Sequence, residues 1–401
     1  MRHHVTSQLR AALASADELH MTNDPVRHIR GEAEREPETG TALCLSGGGY
    51  RAMMFHLGVL WRLNEAGMLP LLDRVSSVSG GSITAGVLAM NWAQLAFSEA
   101  GVAKKFDSRV VEPIRAMAAT SVDVTSLLVG AVLPFTSVSD RVAKAYRKHL
   151  FAKTTLQDLP DRPRFVINAT NLESGALMRF SKPYLADYRV GRVNEPDLPL
   201  AVAVAASSAF PPVLSPCTVD LEHEDWITEE GNVLTGEEFR NEIRLTDGGV
   251  YDNLGLETAW KRYSRILVSD AGGILEPDAD PPSDWAQQTV RVLKVIDNQV
   301  RSLRKRQVIE SFKNNRRTGM YIGIRSHVAD YPLADRLPAD VAVTMELAAT
   351  PTRLDAMEES LQKRLVNWGY VICDAGLRAH VLSGEAPGRL PYPASPISSD
   401  A

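Results

Sequence analysis

The hydrophobic and polar positions of this chain change their period several times in its first quarter. Thr41–Ser46 has the apolar content of a buried strand, and Tyr50–Gly67 follows as a helix that is apolar on most sides. Arg74–Val78 then alternates as a short strand does, and from Ser82 onward small and apolar residues continue as a buried helix. Because strands that alternate with helices are joined by crossover connections, we predict that these strands pair in parallel.

The pattern farther along the chain predicts more strands and two further helices. The predicted strands are Arg164–Thr170, Ala176–Ser181, Glu242–Asp247 and Arg265–Asp270. A helix rich in small residues is predicted at Leu198–Ser208, and a long amphipathic helix at Asp284–Asn314. We therefore expect a three-layer α/β/α fold, in which helices cover both faces of a mainly parallel central sheet and helical insertions extend it.

The composition of the chain changes at both ends, which predicts one folded domain with two extensions. Residues 1–40 are polar and mixed in charge, as in a helical arm and linker. Residues 41–383 then form the domain, including C-terminal helical additions, and residues 384–401 form a flexible tail rich in Pro and Ser. A helical insertion at Val102–His149 carries the apolar stretch Ser126–Phe135, for which a lipid-facing lid and a buried core segment remain alternatives.

The composition is that of an ordinary globular protein, with 401 residues, 44% of them hydrophobic and 23% charged. The formal net charge of −5 gives no broad attraction for nucleic acid, so we expect no nucleic-acid partner. Three widely spaced cysteines, Cys44, Cys217 and Cys373, lack metal or redox spacing and indicate a reducing compartment without disulfides. No apolar run is long enough to cross a bilayer, so we predict a cytoplasmic protein whose membrane contact, if any, is peripheral.

The first candidate for chemistry is the serine in RVSSVSGGSITAGVLAM, residues 74–90. Ser79 lies between the predicted strand and helix and is followed at once by Gly80 and Gly81. A serine on such a tight turn projects its hydroxyl from the carboxyl edge of the sheet, and the amino end of the helix favours a developing alkoxide. Serine is also a common helix cap, so this stretch alone leaves a nucleophile and a cap as open alternatives.

The second candidate is the triglycine in CLSGGGYRAMMFHLGVL, residues 44–60. Gly47, Gly48 and Gly49 expose backbone N–H groups as an anion-binding nest, which suits an oxyanion or a phosphate. The phosphate-loop pattern GxxxxGK[ST] is absent, and GGGYRA does not match GxGxxG because Ala52 stands at the last glycine position. We therefore do not expect nucleotide binding.

The third candidate is the aspartate in RLTDGGVYDNLGLE, residues 244–257. Asp247 ends a predicted strand and enters a Gly-Gly turn, so it is either a turn former or a base beside a serine on a neighbouring strand. An ordinary aspartate has a pKa near 4 and is a weak base, so the amides of the triglycine must then carry much of the stabilisation. Together the serine turn, the glycine loop and the aspartate form a coherent ester-cleaving set at strand ends.

These segments carry a family resemblance that covers about residues 41–273. The stretches SGGGYRA, SVSGGS, AVAASSAFPPVL and TDGGVYDNLG resemble the patatin-like phospholipases, and GGGYRAMMFHLGVLWRLNEAG is also similar to the related cytosolic phospholipase A group. Two positions depart from the family pattern: Ser77 takes the first glycine position of G-x-S-x-G, and Ala52 replaces a glycine often found in patatins. The hydroxyl of Ser77 is then a competitor of Ser79 for hydrogen bonds.

The resemblance implies a patatin-like fold and a Ser–Asp dyad in place of a triad. Ser79 would be the nucleophile and Asp247 the base, with Gly47–Gly49 as the oxyanion loop. Arg51 would bind substrate phosphate or hold the loop. No metal and no cofactor are implied. The expected function is a lipid acyl hydrolase that cleaves fatty-acyl esters of phospholipids or lysophospholipids through an acyl-enzyme.

Other functions and other groups remain as alternatives to this interpretation. An acyltransferase or a general carboxylesterase would use the same dyad, and a lipid- or anion-binding protein would keep the loop without turnover. Four histidines lack a flanking motif and are expected to be structural, namely His56, His223, His327 and His380. Phe210 and Leu214 are candidates for the wall of an acyl pocket, with an ordinary core helix and turn as the open alternative for their segment. A basic cluster of Arg301, Arg304, Lys305 and Arg306 is either a solvated helix face or a phosphate or lipid-surface site.

Overall fold

The computed structural model of the chain describes residues 37–122 and 138–398. Most of the predicted arm and linker over residues 1–40 therefore lies outside the described residues, and so does the apolar stretch Ser126–Phe135. The described residues from Glu38 onward belong to one compact unit.

Strands form a single mixed sheet in the described part of the chain. They are β1 (Glu38–Leu45), β2 (Arg74–Val78), β3 (Arg164–Asn171), β4 (Leu177–Ser181), β5 (Tyr184–Asp187), β6 (Gly191–Asn194), β7 (Cys217–Asp220), β8 (Trp226–Ile227), β9 (Glu242–Asp247), β10 (Tyr263–Asp270) and β11 (Thr318–Gly323). Their order is β11-β10-β1-β2-β3-β4-β5-β6-β8, and β9 pairs with both β3 and β7.

Helices cover the sheet and extend it at the C-terminal end. They are α1 (Gly49–Glu65), α2 (Gly80–Asn91), α3 (Glu112–Ala118), α4 (Val138–Tyr146), α5 (Leu200–Ser207), α6 (Gly249–Asp252), α7 (Glu257–Trp260), α8 (Trp285–Lys313), α9 (Val341–Ala348) and α10 (Glu359–His380). The predicted long helix is confirmed as α8, which begins after Asp284, whose side chain accepts a hydrogen bond from the Gln287 N–H at 2.9 Å.

The central strands pair in parallel, as the alternation of strands and helices predicts. β11, β10, β1, β2 and β3 are parallel neighbours, whereas β3 and β4, and the strands beyond, pair antiparallel. The antiparallel extension contains strands of 2 to 5 residues, of which β5, β6, β7 and β8 were not predicted. Strands this short hold too few residues for a period-two pattern to emerge.

Alternation along β1 distributes its side chains between two cores on opposite faces of the sheet. Leu43 and Leu45 belong to the larger hydrophobic cluster, and Ala42 and Cys44 to the smaller one. Successive side chains of a strand point to opposite faces, so a strand that is apolar throughout must be covered on both sides. The fold is accordingly the predicted three-layer α/β/α arrangement. The three cysteines are buried and free.

The C-terminal segment closes one face of this core. Helix α10 packs on α1, and Arg62 of α1 forms a buried ion pair with Asp374 of α10, with 2.8 Å between Nε and Oδ1. Residues 384–398 contain no helix or strand, but Ile397 is fully buried and Asn367 donates hydrogen bonds to the carbonyls of Tyr392 and Ser395. No helix among the described residues has the length and apolar character needed to span a membrane.

One edge of β3 is shared by two strands that approach it from opposite directions. β2 pairs with β3 in parallel up to the Val78–Asn168 pair, and β9 pairs with it antiparallel from the Ala169–Asp247 pair onward. β4 takes the other edge of β3 along the same residues. The carboxyl ends of β2 and β9 therefore face each other at one point of the sheet.

Candidate active site

Ser79 occupies the turn between β2 and α2 in a strained backbone conformation. Its φ is 52° and its ψ is −124°, which a residue with a Cβ adopts only when its surroundings hold it there. Its carbonyl accepts the Ser82 N–H at 2.8 Å and so begins the first turn of α2. The Ser79 side chain makes no capping hydrogen bond to that helix. The structure therefore does not support the helix-cap alternative.

Gly80 and Gly81 allow this turn to press directly against the triglycine loop. A Cβ on Gly80 would lie 2.1 Å from the carbonyl oxygen of Gly49, and one on Gly81 would lie 2.6 Å from the carbonyl oxygens of Leu45 and Ser46. Both distances are far shorter than a van der Waals contact. Any larger residue at either position would push the serine turn and the loop apart.

The triglycine loop runs beside the Ser79 hydroxyl. A Cβ built on Gly47 would lie 3.7 Å from Ser79 Oγ, and Gly48 has a φ of 143°. The Gly47 N–H donates to the carbonyl of Asn253 at 3.4 Å. The N–H groups of Gly48 and Gly49 have no acceptor among the residues that the structure describes. Two amides next to the serine are therefore available to an anion.

Asp247 ends β9 as predicted, and its carboxylate is buried. Its Oδ1 accepts the Gly249 N–H at 2.7 Å, while Oδ2 has no close hydrogen-bond partner in the described part of the chain. Burial raises the pKa of the Asp247 carboxyl to about 7, and the charge of Asp297 raises it further, whereas the hydrogen bond from the Gly249 N–H and the proximity of the Ser79 hydroxyl lower it. The expectation that Asp247 has an ordinary pKa near 4 is therefore wrong, because burial shields its side chain from water.

A small network of polar groups fixes the backbones of Ser79 and Asp247 relative to β3. Ser207 Oγ accepts the Ser79 N–H at 3.0 Å and donates to the Asn168 carbonyl at 2.7 Å. Thr170 Oγ1 donates to the Asp247 carbonyl at 2.9 Å. The helix over Leu198–Ser208 was predicted, but this role of Ser207 was not. The signal was a serine at the end of a buried apolar helix, because a buried hydroxyl needs a partner.

Ser77, the residue that departs from the family pattern, makes no hydrogen bond with Ser79 among the described residues. It is fully buried in β2, and its hydroxyl accepts a hydrogen bond from Ser82 Oγ at 3.0 Å. Its own acceptor is the Val166 carbonyl at 3.5 Å. The expected competition with Ser79 is therefore absent, since these partners occupy the Ser77 hydroxyl.

Arg51 lies beneath the glycine loop, 3% exposed. Its Nε and Nη2 donate to the Ala271 carbonyl at 3.3 and 3.1 Å, and Nη1 donates to the Thr350 carbonyl. Burial lowers the pKa of the guanidinium to about 10, and the charges of nearby arginines lower it further. These contacts match the loop-holding alternative, and direct contact with substrate stays a prediction. Arg353 adds a second contact from the same segment, since its carbonyl accepts the Tyr50 N–H at 3.0 Å.

The ring of His56, in the helix that follows the glycine loop, makes its hydrogen bonds with Ser46 and Ser269. His56 Nε2 lies 2.9 Å from the Ser46 carbonyl and must donate to it, so Nδ1, 2.8 Å from Ser269 Oγ, accepts. Burial lowers the pKa of His56 to about 4. Neither ring nitrogen reaches Ser79, which agrees with the predicted structural role. Among the described residues, no three His, Cys, Asp or Glu side chains are grouped as metal ligands would be.

Comparison with solved structures finds proteins that resemble the chain only distantly. Human GIVD cytosolic phospholipase A2 is 13% identical, with a TM-score of 0.46, over 86% of this chain and 62% of that one. VipD from Legionella pneumophila is 16% identical, with a TM-score of 0.34, over 88% of this chain and 72% of that one. The chain thus spans less than two thirds of the human protein. No curated protein sequence matches the chain.

A sequence model of one family matches more than half of the chain. The match covers residues 43–260, which include the serine turn, the glycine loop and the aspartate. The chain belongs to the patatin-like phospholipase family.

Proposed function

We propose that this protein hydrolyses fatty-acyl esters of phospholipids or lysophospholipids, with Ser79 as the nucleophile and Asp247 as its base. One observation carries the proposal: a strained serine turn, a buried carboxyl with a pKa of about 7 and two unbonded glycine amides meet at one edge of the sheet. Membership of the patatin-like phospholipase family supports a lipid acyl hydrolase.

In the first half of the reaction, Ser79 Oγ attacks the ester carbonyl carbon while its proton passes to Asp247. The carbonyl oxygen becomes an oxyanion and accepts hydrogen bonds from the N–H groups of Gly48 and Gly49. The tetrahedral intermediate then collapses, the bond to the alcohol oxygen breaks, and the alcohol leaves with the proton from Asp247. The acyl group stays on Ser79 as an ester.

In the second half, Asp247 takes a proton from a water molecule that attacks the acyl-enzyme carbonyl. The second oxyanion collapses, releases the fatty acid and leaves the proton on Ser79. A base is most effective when its pKa lies near the working pH, so a carboxyl with a pKa of about 7 suits this double role better than an ordinary aspartate. Asp247 Oδ2 has no hydrogen-bond partner among the described residues, so it is available to the Ser79 hydroxyl, and this hydrogen bond forms when substrate fills the site.

Exposed apolar residues next to the site favour a lipid substrate. Phe210 follows the carbonyl that accepts the Asp247 N–H, and Val250 follows Gly249; their exposed fractions are 47% and 50%. Apolar side chains grouped around a polar centre suit an acyl chain that enters from a membrane surface or micelle. We therefore propose peripheral contact of this face with lipid.

The direct test of the proposed reaction is incubation with a panel of phospholipids and lysophospholipids, with free fatty acid as the readout. Wild type is expected to release fatty acid and Ser79→Ala to release none above background. Adding a lipid alcohol separates hydrolysis from transfer, because an acyltransferase would form a new ester in place of free acid. Absence of any acyl product from the whole panel would overturn the proposal.

A fluorophosphonate probe tests the nucleophile without assuming a substrate. We expect one covalent label on the wild-type protein, located at Ser79 by peptide mass spectrometry, and no label on Ser79→Ala. Ser77→Ala is the matched control, because the buried Ser77 hydroxyl lies two residues away and should leave labelling intact. Labelling that persists in Ser79→Ala, or that disappears in Ser77→Ala alone, would contradict the assignment.

The glycine loop should matter nearly as much as the base. Gly48→Ala is expected to lower kcat about 10²–10³-fold, the usual effect of losing one oxyanion donor, and Asp247→Asn to lower it at least as much. A Cβ at Gly48 would lie 3.0 Å from the Ala271 carbonyl oxygen and would displace the loop. Gly175→Ala is the control, because Gly175 also has a positive φ, 68°, but has no neighbour within 4 Å. A Gly48→Ala enzyme with near wild-type kcat would refute the role of the loop.

The raised pKa of Asp247 predicts both the pH profile and a gain in stability. Because the base must be ionised, kcat/KM should fall about tenfold per unit as pH drops below about 7. In the native state the ionised side chain is disfavoured, so Asp247→Asn should raise the free energy of unfolding at pH 8 by up to ~4 kcal/mol. The gain should shrink as pH falls and vanish below pH ~4, where both states are protonated. A flat activity profile between pH 5 and 8 would contradict the raised pKa.

A further inference from the structure

A cavity with a volume of about 190 Å³ lies at the carboxyl ends of β10 and β11, where α8 crosses them. It has room for several water molecules or for a small charged group. Three cationic side chains belong to its wall: Arg301 and Lys305 of α8, and Arg325, which follows β11. Arg301 and Lys305 are four residues apart and so share one face of the helix. The basic cluster seen in the sequence is thus divided, since Arg304 instead pairs with Glu257 at 2.9 Å.

The wall of this cavity contains three cationic side chains and one carboxylate, and two further carboxylates pair with its arginines from outside the wall. Asp270 contributes the carboxylate of the wall, and it is already bonded by the Tyr321 hydroxyl at 2.7 Å and the Gly272 N–H at 2.9 Å. Arg301 pairs with Asp297, 3.2 Å away, and Arg325 with the largely exposed Glu276, 3.5 Å away. Lys305 has no carboxylate partner among the described residues. Its ammonium lies 5.0 Å from the centre of the Tyr321 ring.

Two of these cationic groups also keep unused donors. The Nε atoms of Arg301 and Arg325 are buried, and neither donates a hydrogen bond within the described residues. The nearest carboxylate oxygen to Arg301 Nε belongs to Asp270 and lies 3.8 Å away, beyond hydrogen-bond reach. Buried donors are normally satisfied by protein, water or ligand. A partner with several acceptor oxygens would meet both arginines and the lysine at once.

The cavity adjoins the glycine loop of the proposed active site but is separate from it. Gly272 and Gly273 belong to its wall and directly follow Ala271, whose carbonyl accepts the Arg51 hydrogen bonds. Arg301 is held in place by donating to the Gly273 carbonyl. The arginine is therefore positioned before any ligand arrives, which reduces the cost of ordering it on binding.

We propose that this cavity is a binding site for a phosphoryl group, carried by a phosphate monoester or by inorganic phosphate. Three cationic side chains around one cavity suit a tetrahedral dianion better than a planar carboxylate, which offers only two oxygens. The same chemistry is found in a lipid headgroup and in a free phosphate. This site does not depend on the proposed hydrolase activity, because binding needs no turnover.

Calorimetric titration of the full chain with inorganic phosphate tests the site directly. Wild type is expected to bind one phosphate per chain, and Lys305→Gln/Arg325→Gln to bind it at least tenfold more weakly. Arg306→Gln is the matched control, because Arg306 is an exposed cation on the same helix outside the cavity wall and should leave the affinity unchanged. If the double variant fails to fold, phosphate binding is measured on Lys305→Gln alone, which removes one exposed charge. This single variant should also bind phosphate more weakly than wild type.

Co-sedimentation with vesicles distinguishes the two sources of the phosphoryl group. One set contains phosphatidylcholine with phosphatidic acid, a lipid phosphate monoester, and the other contains phosphatidylcholine with phosphatidylglycerol, an anionic diester. A lipid ligand predicts stronger binding of wild type to the phosphatidic acid vesicles, lost in Lys305→Gln/Arg325→Gln but kept in Arg306→Gln. A soluble ligand predicts the calorimetric result without that preference. If wild type binds neither probe, or if the double variant and Arg306→Gln bind like wild type, the proposal is overturned, whatever the fluorophosphonate result at Ser79.

Discussion

The arrangement of the site depends on one edge of β3. That edge offers a single row of backbone hydrogen bonds, which β2 occupies up to Asn168 and β9 occupies from Ala169 onward. The two strands run in opposite directions, so their carboxyl ends lie at the same point of the sheet. Ser79 directly follows β2 there, and Asp247 is the last residue of β9. Two segments separated by more than 160 positions meet because their registers on a third strand are adjacent.

This geometry also determines the electrostatics of the site. A carboxylate at the meeting point of two strands lies inside the sheet layer, where water does not reach it, and its charged form is disfavoured. The glycine loop lies against the serine turn, held by Arg51 through the Ala271 and Thr350 carbonyls. The proposed base and the proposed oxyanion donors therefore have fixed positions before substrate binds, which is the condition for electrostatic stabilisation of a transition state.

Local patterns predicted the elements that carry the site, but not how they meet. The strand ending at Asp247 was predicted with its observed bounds, because turn glycines follow an alternating stretch. Its antiparallel pairing was not predictable, because register is decided by non-local neighbours. For the same reason the sequence did not reveal the raised pKa of Asp247, which follows from burial, or the hold of Thr350 on Arg51 across 299 positions. Nor did it reveal that Ser207 anchors the Ser79 amide.

A crystal structure of the protein after reaction with a fluorophosphonate would test the central claim most directly, because the adduct resembles the tetrahedral intermediate. The account predicts a bond from Ser79 Oγ to phosphorus, a phosphoryl oxygen within hydrogen-bond distance of the Gly48 and Gly49 amides, and the Asp247 carboxyl in contact with Ser79 Oγ. An adduct on another residue, or one on Ser79 with both amides turned away and Asp247 out of contact, would contradict it.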